Sequence, residues 1–158
     1  MNRGTINALR CGLVALLLGL LVVQALMLPA IAADYAVEAP EIAYLRWPYL
    51  VASIIVVACV QFAVLCVWRL LGFVREGSIF SARAFTWVNR IIGATVVATV
   101  LVVAMNAYLT AINMIPPGLF ILLGGAAVGG LCLALLLVVM RALLVRATEL
   151  ESDLSEVI

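Results

Sequence analysis

Apolar residues fall into four long runs, at 9–32, 49–71, 91–112 and 119–144, separated by shorter polar stretches. A hydrocarbon core about 30 Å thick needs roughly 20 apolar residues in helical form. Each run reaches that length, and none contains an acid. The arginines within them, Arg10, Arg69 and Arg141, sit near run ends, where a long side chain can reach the interface. The pattern predicts an all-α fold: one integral membrane four-helix bundle with short outer loops. An acidic connection spans 33–48, a basic one spans 72–90, and a tight turn at 113–118 holds Pro116 and Pro117.

The polar flanks set the orientation. Arg3, Arg10, Arg69, Arg75, Arg83, Arg90, Arg141 and Arg146 fall on one side of a four-span chain, and only Arg46 falls on the other. By the positive-inside rule the arginine-rich side is cytoplasmic, which puts both termini inside. Asp34, Glu38 and Glu41 make the outer connection acidic. A rival reading takes Arg3 and Arg10, the first run and Ala30-Ile31-Ala32 as a cleavable signal peptide. The run exceeds the about 7–15 apolar residues of a signal segment, and Gly12 and Gly19 suit a packed span. An uncleaved first span is therefore expected.

Composition agrees with a bilayer solvent. The chain is 68% hydrophobic and 11% charged, where a soluble domain carries about 25% charged residues. A net charge of +1 excludes a body that binds nucleic acid directly. The chain has no histidine, so the commonest general base and metal ligand are missing. With no nucleophile–base pair either, the expectation is a protein without enzymatic activity, cofactor or metal. Cys11, Cys59, Cys66 and Cys132 all lie inside apolar runs and read as small hydrophobes.

Lipid gives helices no hydrophobic reason to associate, so small residues and interhelical hydrogen bonds must hold them. Gly12 and Gly19 in the first run, and Gly125 and Gly129 in the fourth, are the candidate packing positions. They fit an intramolecular bundle; a homodimer through the glycine face of the fourth helix is the alternative. Thr95, Thr99, Asn106, Thr110 and Asn113 recur at helical spacing and form a polar stripe along the third span. Such a stripe either bonds across helices and back to its own backbone, or lines a solute path. Gln24 and Gln61 add isolated polar groups to the first and second spans.

Two cytoplasmic segments remain. In the basic connection, Ser81 is a candidate N-cap for the helix entering the third span. Ile79, Phe80, Phe85 and Trp87 can dip into the interface while Arg83 and Arg90 reach lipid phosphates. Anchoring to the bilayer and docking of a protein both fit it. The tail, 145–158, is amphipathic and acidic: Leu150 and Leu154 lie on an apolar stripe, with Glu149, Glu151, Asp153 and Glu156 around it. It is expected to extend the fourth helix and either pack beneath the bundle or meet a soluble partner.

Three stretches resemble the bacterial membrane family DUF2975, a domain of unknown function. They are Gly77-Ser78-Ile79-Phe80-Ser81 after the second span, Asn89-Arg90-Ile91-Ile92-Gly93 at the entry to the third, and the acidic tail, which is similar to that of actinobacterial members. The resemblance implies four spans in a bacterial plasma membrane and carries no catalytic residues. Members are often encoded beside a small helix-turn-helix regulator, which implies a cytoplasmic regulator protein as partner. The alternative is a small channel or transporter component that uses the polar face of the third helix.

Overall fold

The computed structural model describes residues 3–38, 40–75, 82–113 and 115–156, and the regular elements in them are all helical. The first apolar run forms α1 (Arg3–Val22) and α2 (Leu28–Glu38), joined without a break by a π-helical segment, Val23–Met27. A short 3-10 helix, Pro40–Leu45, leads into α3 (Arg46–Arg75), followed by α4 (Ala82–Ala111) and α5 (Pro117–Glu156). Four stretches are long and apolar enough to cross a membrane: Asn7–Asp34, Ala43–Phe73, Phe85–Ala111 and Pro117–Leu150. At most 11% of the most apolar window of each is buried within the chain, so their open flanks suit lipid rather than water.

Pro29 accounts for the π-helical segment. Its nitrogen carries no hydrogen, and its ring would press on the carbonyl of Ala25 four residues back. The backbone widens just before it, and the Leu28 N–H donates to the Val23 oxygen, five residues away. Val22 and Leu28 keep α-helical angles, so the helix continues through the insertion. The acidic connection expected at 33–48 is correspondingly shorter than its polarity suggested. α2 runs on to Glu38, and the 3-10 helix fills most of the rest.

The α4–α5 turn is fixed by three backbone bonds. Ile112 N–H donates to Tyr108 O at 3.2 Å, Asn113 N–H to Thr110 O at 3.1 Å, and Phe120 N–H to Pro116 O at 3.0 Å. Asn113 has φ 53°, a left-handed conformation that asparagine adopts more readily than most residues. Pro117 takes the first helical position, where a missing N–H costs nothing. Asn113 therefore lies beyond the end of α4, in the turn expected at 113–118, and the helical stripe ends at Thr110.

The helices stand in an open row rather than a closed bundle. α3 meets α4 along an extensive interface, α5 packs on α4, and α1 and α2 rest on α3. Among the described residues, α5 shares no more than a marginal contact with α1, α2 or α3. Closing the ring would gain little in lipid, whose tails are as apolar as leucine. The core accordingly sits on the two inner helices: Val64, Cys66 and Leu71 of α3 against Ile91, Ala94, Val102 and Leu109 of α4, with Ala134 of α5 outside them.

Candidate functional site

The polar stripe of α4 meets α5 at Thr99 and Asn106. The half-buried and buried positions of α5 include Gly124, Ala127, Gly130, Ala134, Leu137 and Arg141, steps of three and four that mark one helix face. Gly130 sits against Thr99: a Cβ added there would collide with the threonine hydroxyl and stand 3.3 Å from its Cβ. Gly124 lies one contact away from Asn106, 3.7 Å from an added Cβ to Nδ2. Asn106 Nδ2 also donates a long hydrogen bond of 3.5 Å to Phe120 O, across to α5.

The threonine hydroxyls turn to their own helix. Thr95 donates to Ile91 O at 2.9 Å, Thr99 to Thr95 O at 2.8 Å, and Thr110 to Asn106 O at 2.8 Å. Each bond satisfies a hydroxyl that lipid would leave unpaired. The threonine hydroxyls are thus satisfied within α4, and Thr99 and Asn106 lie against glycines of α5.

The candidate packing glycines lie elsewhere. Gly12, Gly19, Gly125 and Gly129 are all exposed in the chain, and an added Cβ at any of them would meet nothing within 4 Å. The face of α5 that meets α4 is set by Gly124 and Gly130, which flank the G-x-x-x-G pair. Gly93 of α4 is also exposed and open.

Two aromatic clusters mark the ends of the row. At the arginine end, the guanidinium of Arg10 lies 6.0 Å from the Trp68 ring centroid, which ties α1 to α3. The Trp87 ring is shared: Arg90 lies 4.5 Å and Arg69 5.7 Å from its centroid, which ties α3 to α4. At the opposite, tyrosine end, Tyr49 of α3 donates to Met105 O of α4 at 2.8 Å and stacks at a tilt on Tyr108, centroids 6.4 Å apart. That tyrosine clamp had only interfacial enrichment as a signal in the sequence, and its partner carbonyl had none.

Of the motif Gly77-Ile79-Phe80-Ser81, all four residues lie outside the described residues; Arg90 and Gly93 are described, one helical turn apart on α4. The tail is helical as far as Glu156, continuous with α5. Leu150 is 65% exposed there, and Thr148 bonds back to Leu144 O at 2.8 Å. Placement of the Glu151, Asp153, Leu154 and Glu156 side chains lies outside what the structure describes. Gln24 stands in the π-helical segment and Gln61 in mid-α3, and Gln24 Oε1 and Gln61 Nε2 are buried without a hydrogen-bond partner.

No curated protein and no solved structure matches the chain. A family model described as "Protein of unknown function (DUF2975)" matches residues 30–158, well over half of the chain. The short motifs around Arg90 and the acidic tail thus resembled the right family, and the chain belongs to DUF2975.

Proposed function

We propose that the chain is a non-enzymatic membrane protein of the bacterial plasma membrane that binds a cytoplasmic regulator protein through its arginine end and its helical tail. Both termini lie in the cytoplasm, since Arg10, Arg69 and Arg90 gather at one end of the row. The observation that carries the reading is the length of α5. Its apolar stretch ends at an exposed Leu150, and the helix continues beyond it to Glu156. A helix that leaves the bilayer with apolar and acidic residues along it suits groove docking by a soluble partner.

The partner class follows from the family resemblance: a small helix-turn-helix regulator encoded beside the gene. The polar stripe gives the rival solute path less support, because the Thr95, Thr99 and Thr110 hydroxyls bond their own backbone. The test is co-purification of the full-length protein in mild detergent with that regulator, alongside a Leu150→Glu, Leu154→Glu variant. Retention by the wild type and loss by the variant is the expected result. Failure of the wild type to retain the regulator overturns the proposal.

A further inference from the structure

α3 and α4 diverge on one face and leave a groove of about 440 Å³ between them. The opening arises where the facing residues are smallest: Ala58 on α3, and Gly93 and Ala94 on α4. Ile55, Phe62 and Val97 flank it, each between 42% and 49% exposed, so the trough is apolar and faces lipid. The spread of its lining residues sets its direction. The lining includes Ile55 and Phe62 on α3, and Arg90 and Val97 on α4, so the trough runs along the helices for about two turns, roughly 10 Å.

One end of the trough is charged. Arg90 itself lines it, and the guanidinium is held at 4.5 Å over the Trp87 ring that Arg69 approaches from α3. An aromatic face attracts the flat side of a guanidinium and leaves its N–H groups, which point outward in its own plane, available to an anion. Arginine pairs with phosphate oxygens through two such N–H groups at once. Arg90 at the end of an apolar trough, with Arg69 beside the same Trp87 ring, complements a molecule with an anionic head and a hydrocarbon chain.

We propose that this groove is a binding site for an anionic phospholipid, with one acyl chain between α3 and α4 and the phosphate on Arg90 and Arg69. A zwitterionic lipid has the same chain and a phosphate but no net charge, so the site selects by charge. The expected preference is roughly fivefold per arginine at low salt, and it falls as salt screens the pair.

The experiment uses the full chain in nanodiscs of phosphatidylcholine with phosphatidylglycerol added. Retained lipid is counted by native mass spectrometry, and quenching of Trp87 by brominated chains is followed in parallel in a Trp47→Phe, Trp68→Phe background. Wild type should retain phosphatidylglycerol over phosphatidylcholine, and Arg90→Gln with Arg69→Gln should lose the preference. Gly93→Leu fills the trough; an added Cβ there has open space, so the fold tolerates it. It should reduce quenching by both lipids while thermal stability holds. Anionic lysolipid should compete, whereas glycerol phosphate and inorganic phosphate should not, which separates a lipid site from a phosphate site. Equal retention of the two lipids by wild type overturns the proposal, as does unchanged preference in the arginine variant. An unaffected Gly93→Leu variant, or displacement by inorganic phosphate alone, overturns the groove as the seat of the chain.

Discussion

Gly130 is the position at which one methyl group should separate α4 from α5. An alanine there places Cβ on top of the Thr99 hydroxyl and 3.3 Å from the Thr99 Cβ. Relief requires the threonine to change rotamer, which breaks its 2.8 Å bond to Thr95 O, or requires α5 to lift away. An intramembrane hydrogen bond contributes about 0.6 kcal/mol on average, and overpacking a well-fitted contact costs about 1–3 kcal/mol. Gly130→Ala should therefore destabilise the protein by about 2 kcal/mol, measured by reversible unfolding in mixed micelles. Gly125→Ala and Gly129→Ala, whose added Cβ atoms meet nothing, should stay within about 0.5 kcal/mol of wild type. Thr99→Ala removes the hydroxyl that collides, so the double variant Thr99→Ala, Gly130→Ala should recover about 1 kcal/mol relative to additivity. A Gly130→Ala protein as stable as Gly125→Ala, or a double variant that is simply additive, would refute the assignment of this face to the α4–α5 seam.

Three further outcomes use the same unfolding assay. Tyr49→Phe keeps its ring beside Tyr108 but loses the bond to Met105 O, and should cost about 0.5–1.5 kcal/mol. At Asn113, held at φ 53°, glycine should be neutral or better while valine costs at least about 1–2 kcal/mol. Trp87→Leu removes the ring shared by Arg69 and Arg90 and should cost about 1 kcal/mol, less in high salt if the guanidinium contacts carry the effect.

The existence of the helices was plain from the four apolar runs, because length and hydropathy alone decide what can cross a bilayer. Their packing was less plain, and α5 shows why. It carries Gly124, Gly125, Ala126, Ala127, Gly129 and Gly130, which cover most of its circumference with small residues. The spacing of Gly125 and Gly129 identifies a face that can pack, but the partner decides which face does. Thr99 and Asn106 on α4 chose the neighbouring one. The stripe at Thr95, Thr99, Asn106 and Thr110 was legible for the opposite reason, since polar groups in lipid must find partners and few choices exist. Pro29 was visible in the sequence, but the backbone's response to it, a widened turn instead of a break, depends on the helix being held on both sides. Asn113 carried two signals, helical spacing with the stripe and a place in the turn at 113–118, and the turn is where its positive φ puts it.

The open row gives α4 a position no other helix has. It carries the α3 contact on one side, the α5 contact on another, and the Arg90 end of the groove between α3 and itself. Among the described residues, α1 and α2 reach the rest of the molecule chiefly through α3 and the 3-10 helix, and the family model begins at residue 30, after the π-helical segment. The three helices that the family model covers entirely, α3, α4 and α5, are the ones joined by the extensive interfaces. Within that unit, α5 packs on α4, and the seam includes Thr99 and Asn106. An occupant that alters the spacing of α3 and α4 can bias the tail only by moving α4 against α5, and it does so only to the extent that it binds the two spacings with different affinity. The proposed lipid site at the groove and the proposed partner site at the tail are thus joined, among the described residues, through the α4–α5 face that Gly130 keeps smooth.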